Sequence, residues 1–297
     1  MSLRENSPVQ QAWEKHSVVP AFNIPYIPMM KPVVRALKDC QTVGLIAVAR
    51  LEWIKFKAGS LAMIRETYEK VKDERFTRLH LDHIPVIDED GCRVDYRAII
   101  QEAIQLGYQS VMIDGSRLPL NENIAVTREV AELAHAADVP VEAELGAVLG
   151  HEAGPLPPYE ELFATGKGFT DPKEAGRFVH ETGTDWLSVA VGNIHGAVSK
   201  ARRDETKIEA RLNIEHLRRI QNKARVPLVL HGGSGIRQSG LLESVRNGIA
   251  KINIGTTIRQ AYEKNVTKSV EAGQEAVYHT VTRLVRDELK ISGSANC

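Results

Sequence analysis

An excess of charge of either sign is missing from this chain: lysine plus arginine number 38 and aspartate plus glutamate 38 in 297 residues. That balance excludes proteins drawn to nucleic acid or to anionic lipid by bulk charge. Long hydrophobic runs are missing too, since none reaches the roughly 18 residues of a bilayer-spanning helix. The polar stretch 1–11 predicts no secretory leader. Cysteine is scarce, with only Cys40, Cys92 and Cys297, an odd number without ligand-type spacing. They read as reduced thiols, which removes a disulfide framework and predicts a cytoplasmic protein. No linker divides the sequence, and a hydrophobic content of 43% is enough for a sizeable core, so one domain is expected over 1–297.

What is present is a repeat of short apolar runs, at 18–23, 44–49, 78–83, 110–115, 139–145, 186–192, 226–232 and 249–255. They are continuously hydrophobic instead of alternating, as strands are when helices cover one face and a packed interior the other. Helix-length amphipathic stretches separate most of them. The segment 121–137 carries apolar residues at three- and four-residue spacing, and Asp171-Pro172-Lys173-Glu174 offers an N-cap, a first-turn proline and a capping-box glutamate. Eight such units predict an α/β protein, a (β/α)8 barrel with a C-terminal helical extension over 257–289. Two segments exceed the usual loop length. The Gly- and Pro-rich stretch 150–170 follows the fifth strand and predicts a functional lid. The charged stretch 199–211 reads equally as a solvated insertion or as a site for an anionic substrate.

Catalytic groups of such barrels sit at the carboxyl ends of strands. His83, His195 and His231 each close an apolar run against a turn or glycine, and three neutral imidazoles with open positions suit catalytic Zn2+. Seven other histidines show how often the residue is merely structural, but those three share strand ends. His80, two residues before Asp82, is a candidate neighbour of the site. The glycines and hydroxyls of 231–235 and 253–257 follow strands seven and eight, where this fold commonly holds phosphate. Asp82, Asp114, Glu144 and Glu152 are carboxylates in plausible reach. Asp82 suits either orientation of His83 or general acid–base work. Metal, phosphate and acid–base groups together point to polarising the carbonyl of a phosphorylated ketose and stabilising an enediolate. A Schiff-base lysine is the competing route, and Lys251 is the lysine within a predicted strand.

The motifs Leu-His-Leu-Asp-His at 79–83, Val-Met-Ile-Asp-Gly-Ser at 111–116, Val-Glu-Ala-Glu-Leu-Gly at 141–146, Gly-Asn-Ile-His-Gly at 192–196 and Leu-His-Gly-Gly-Ser-Gly at 230–235 make the chain resemble the class II, zinc-dependent ketose-bisphosphate aldolases of the fructose- and tagatose-bisphosphate type. The resemblance runs from Ala21-Phe22-Asn23 to Asn253-Ile254-Gly255-Thr256. It implies a lyase of carbohydrate metabolism, with glycolysis as the expected setting, that cleaves or forms a ketose (bis)phosphate through a zinc-stabilised enediolate of dihydroxyacetone phosphate. It implies His83, His195 and His231 as zinc ligands and Glu144 at an alternative metal position, with a second divalent or monovalent cation nearby. It implies that Asp82 exchanges a proton with the C4 hydroxyl and that Glu152 moves the C3 proton. Gly196, Gly232, Gly233, Ser234, Asn253 and Thr256 would bind the phosphate, and Asp114 and Ser116 would lie close to substrate. A homodimer or homotetramer is the expected assembly, with a phosphorylated sugar as partner and neither nucleic acid nor membrane.

Three positions depart from the family's pattern. Ala49-Arg50-Leu51-Glu52-Trp53 replaces a small serine-containing stretch, Ala197-Val198-Ser199-Lys200 replaces tyrosine and lysine, and Gly255 replaces an aspartate common in fructose-specific members. The first two alter the far end of the substrate, where Arg50 would meet an anionic group. The third leans toward the tagatose-like branch. Two other functions compete: a non-catalytic sugar-phosphate-binding subunit, and a zinc-dependent sugar-phosphate isomerase or epimerase.

Overall fold

Eight parallel strands close on themselves in sequence order: β1 (Val19–Asn23), β2 (Gly44–Ala49), β3 (Thr77–Pro85), β4 (Ser110–Asp114), β5 (Val141–Leu145), β6 (Trp186–Val189), β7 (Leu228–Leu230) and β8 (Ile249–Ile254). The computed structural model describes residues 2, 4, 6–146, 159–193, 210–233 and 235–296. Helices alternate with the strands, and the architecture is a (β/α)8 barrel. All residues of β2, β5, β6, β7 and β8 are buried, as the unbroken hydrophobic runs predict.

Helix ends follow local chemistry. Asp171 caps the helix Pro172–Thr182 by accepting from the N–H groups of Lys173 and Glu174 at 2.8 and 3.0 Å. The stretch read as 121–137 is the helix Leu120–His135. The tail holds two α-helices, Thr256–Val266 and Val270–Arg283, because Ser269 caps a fresh start, and the second runs on into a π-helical turn at Leu284–Glu288. The long segment after β5 differs from its reading as a loop. Its described part holds the helix Tyr159–Thr165, where Leu162 is buried and the Tyr159 hydroxyl donates to the Gly192 carbonyl at 3.0 Å.

The barrel interior changes character along its axis. At the amino end Val19, Ala21, Leu45, Ala47, Val229 and Ala250 surround Trp186, beneath the helix Pro8–Glu14. One turn of the alternation higher, the interior turns polar: His80 lies 6.0 Å from Trp186 by ring centroids, and Glu142 and Lys251 are as fully buried. Successive side chains of a strand point to opposite faces, so His80 and Asp82, Glu142 and Glu144, and Lys251 and Asn253 share the inner side. Buried charge on this scale is tolerated only when it is paired.

Candidate active site

β3 is not regular where it matters. Its register with β4 shifts between Leu81 and Ile84, and His83 has φ +39°, a left-handed backbone that a non-glycine residue adopts only under constraint. The strand therefore continues to Pro85 instead of ending at His83, and the bulge turns the His83 imidazole into the barrel mouth beside its neighbour Asp82. His231 follows directly on Leu230, the last residue of β7. Asp114 ends β4, and Glu144 is the penultimate residue of β5.

These ends converge. Donor atoms of His83, Glu144 and His231 all lie within 4.8 Å of one another. His83 Nε2 and His231 Nδ1 are 2.5 Å apart, with the rings edge to face at 84°. The opposite ring nitrogens are engaged: His231 Nε2 lies 2.7 Å from Glu142 Oε1, and His83 Nδ1 lies 3.4 Å from Asp114 Oδ2. Those carboxylates anchor the outer ring nitrogens and turn the inner pair toward each other, close enough for one proton to bridge them. A cation bound by both nitrogens would take the place of that proton. Two imidazoles and a carboxylate fit zinc, so His83, His231 and Glu144 would hold it. His195, expected as a further ligand, lies outside the described residues, as do Gly196, Glu152 and Ser234.

Electrostatics point the same way. Burial alone would raise Glu142, but Lys251, with Nζ 2.7 Å from Oε2, and His231 hold it down at about 2. Burial likewise opposes ionisation of Asp114, yet His83 and Ser116, whose N–H and hydroxyl donate at 3.0 and 2.6 Å, bring it to about 2. Asp82 is fully buried and is held well below the usual range, because Lys251, His80, His83 and His231 outweigh desolvation. Glu144 is raised well above its ordinary value by burial and by the charge of Asp114. For His83 desolvation works downward, but the Asp114 contact and the charges of Asp82 and Glu144 raise it to about 10. Positive charge is favoured at this one place.

Asp82 is held from three sides. Asn253 Nδ2 donates at 2.9 and 3.0 Å, Asn23 Nδ2 at 2.9 Å, and Lys251 Nζ lies 3.7 Å away. His80 Nε2 lies 3.5 Å from Asp82 and 3.6 Å from Glu142, a neighbour as its position suggested. The Asn253 side chain is thus turned to Asp82, and its carbonyl oxygen accepts from Lys251 at 2.7 Å. Lys251 is enclosed by Glu142 and Asn253 inside the barrel. Above β7 and β8 the turns run side by side, with the Gly233 N–H donating to the Asn253 carbonyl at 3.2 Å. A Cβ on Gly233 would meet Ile252 at 2.5 Å, so only glycine permits this approach. Gly232 has φ +68°, and Thr256 is the first residue of its helix, whose first N–H groups have no partner within the helix.

Glu142, Lys251, Asn23 and Glu52 matter here beyond what sequence reasoning assigned. The signal for Glu142 was present: two acids two residues apart in a buried strand must share the inner face. Glu52 is the third residue of the helix Arg50–Lys55, accepts from the Ala49 N–H at 2.8 Å, and is pushed by burial up to about 8. The folded state thus binds a proton that the unfolded chain releases from about pH 4.5 upward. Stability contributed by this group falls as pH rises from 4.5 and levels off above 8. Glu52→Gln should flatten that slope, gaining on the order of 4 kcal/mol over wild type by pH 8. Urea melts across this range check it, and parallel curves for the two proteins would refute it.

Comparisons with known proteins follow the same lines. Residues 5–296 match the model of the family described as fructose-bisphosphate aldolase class-II. A fructose-bisphosphate aldolase of Streptococcus pyogenes serotype M1 is 33% identical over 272 residues, covering 90% of this chain and 83% of that protein. A 6-phospho-5-dehydro-2-deoxy-D-gluconate aldolase of Bacillus licheniformis is 33% identical over 306 residues, covering 97% and 95%. Among solved structures, the YdjI aldolase of Escherichia coli K12 superposes with a TM-score of 0.74 at 28% identity, covering 96% of this chain and 95% of that one. A (β/α)8 barrel with buried histidines and carboxylates converging at its carboxyl end, matched to one family from end to end, belongs to the class II fructose-bisphosphate aldolases and is an aldolase, a carbon–carbon lyase.

Proposed function

We propose that the chain is a zinc-dependent aldolase that cleaves a ketose (bis)phosphate, of fructose- or tagatose-bisphosphate type, into dihydroxyacetone phosphate and an aldehyde. The observation that carries the reading is the convergence of His83, His231 and Glu144, whose ligand atoms lie within 4.8 Å of one another, with the buried carboxylate of Asp82 next in sequence to His83. Zinc held there would supply Lewis acidity to the substrate carbonyl, worth several kcal/mol of charge stabilisation.

The chain's own groups do the rest. Asp82, kept ionised, takes the proton of the C4 hydroxyl as the C3–C4 bond breaks. A carboxylate held so low is a weak base, so proton transfer keeps pace with bond cleavage, which acidifies the hydroxyl as it becomes a carbonyl. Asn23 and Asn253 aim the carboxylate, and Lys251 balances its charge. Glu152 returns a proton at C3 of the dihydroxyacetone phosphate half. The phosphate rests on Gly196, Gly232, Gly233, Ser234 and Thr256, with Asn253 beneath it, and Asp114 and Ser116 border the substrate. His195 completes the zinc set. The protein works in the cytoplasm as a homodimer or homotetramer.

The substrate is narrowed by assay. Release of dihydroxyacetone phosphate, coupled to glycerol-phosphate dehydrogenase, is measured from fructose and tagatose bisphosphates and from 6-phospho-5-dehydro-2-deoxygluconate, the compound named for the Bacillus licheniformis relative. Release from at least one of them, abolished by a chelator, is expected. Chelator-resistant release refutes the metal requirement, and no release from any of them, in protein containing zinc, refutes the proposed substrates.

A further inference from the structure

We infer that Arg117 forms an acceptor-side subsite and that it selects aldehydes with an anionic terminus, a carboxylate or a phosphate. The inference rests on the aldolase reading above and deepens it. A cavity of about 60 Å3 opens beside the candidate metal centre, lined by His83 of that centre and by Asp114, the partner of its ring. Leu51 and Pro85 give it apolar walls, and Glu89 and Arg117 supply the remaining charge. By the same measure one water needs about 10–15 Å3, so the space holds one small terminal group.

Arg50 was the arginine that the sequence pointed to, but the structure gives its charge to another group. Arg50 Nη1 lies 3.4 Å from Asp88 Oδ2, and the Asp88 carboxylate also accepts the N–H groups of Asp90 and Cys92 at 3.1 and 2.9 Å. Arg117, in the turn just after β4, is anchored differently: one Nη donates to the backbone carbonyl of Asp88. A carbonyl fixes the guanidinium without neutralising it. Among the described residues Arg117 has no carboxylate partner. A guanidinium carries five N–H donors in a fixed fork that matches a carboxylate or a phosphate. One donor fixes the side chain, and others remain to meet a ligand in the cavity. Glu89 on the same wall offers an acceptor to the hydroxyls of such a substrate and disfavours a loosely held anion, so selection depends on the guanidinium.

The test runs the reaction in the synthetic direction, condensing dihydroxyacetone phosphate with D-glyceraldehyde, D-glyceraldehyde 3-phosphate or succinate semialdehyde. In wild type, kcat/KM with at least one anionic acceptor should exceed that with glyceraldehyde. Arg117→Ala should cut that preference about 10- to 100-fold, mainly through KM, and Arg117→Lys should restore part of it. Loss with the phosphorylated acceptor alone identifies a phosphate subsite, and loss with the semialdehyde alone a carboxylate subsite. Equal losses with neutral and anionic acceptors mean that Arg117 only supports the turn, and overturn the inference. Absence of any anionic preference in wild type overturns it too. Exchange of a hydroxymethyl carbon-bound proton of dihydroxyacetone phosphate with solvent needs no acceptor. Wild type that exchanges but shows no anionic preference refutes the subsite alone, whereas wild type that neither exchanges nor condenses refutes the aldolase reading itself.

Discussion

Replacing His231 with alanine is expected to remove bound metal and turnover together, with kcat falling at least ~10³-fold. The reason lies in the two sides of one ring. Nε2 is fixed by Glu142 at 2.7 Å, which directs Nδ1 at the centre shared with His83 and Glu144. Alanine removes that donor and leaves the centre with one described imidazole. The Glu142–Lys251 pair, at 2.7 Å, is independent of the ring, so the interior keeps its main charge balance and the variant should fold. Metal content by mass spectrometry, circular dichroism and dihydroxyacetone phosphate release are read on the same sample. A folded, metal-free His231→Ala protein with wild-type turnover would sink the metal assignment.

Asp82→Ala should do the opposite with metal, keeping it while kcat falls ~10²–10⁴-fold, the usual contribution of a positioned acid–base group. Asp82 is fully buried and accepts three amide contacts from Asn23 and Asn253, none of them from His83 or His231. Deleting it leaves those two amides unpaired at a cost of about 1–3 kcal/mol each, so stability will fall as well. The decisive readout is therefore kcat per folded, metal-loaded molecule. Near-normal turnover on that basis would refute the proton-transfer role and leave Asp82 a structural carboxylate.

Much of this was legible in the sequence because barrel strands are buried on both faces and catalytic groups gather where they end. Apolar runs located all eight strands, and histidines beside turns located His83 and His231. Three features were hidden for physical reasons. The bulge in β3 depends on register against β4, and nothing local marks His83 for a left-handed backbone. The inner face of a continuously apolar strand carries no alternation to read, so Lys251 registered as a competing nucleophile instead of as the partner of Glu142. The choice between Arg50 and Arg117 turns on which guanidinium meets a carboxylate in space, and Asp88 is 38 residues from one and 29 from the other. The helix Tyr159–Thr165 was masked by the glycines and prolines around it.

The most direct test of the central claim uses no aldehyde. The protein is incubated with dihydroxyacetone phosphate in D2O, with and without prior metal removal, and deuterium at the hydroxymethyl carbon, the C3 of the ketose, is followed by NMR. The account predicts steady exchange in the metal-loaded protein, its loss on chelation and its return on adding zinc. Exchange that persists undiminished after the metal has been removed would contradict it and would turn attention to Lys251 and Schiff-base chemistry.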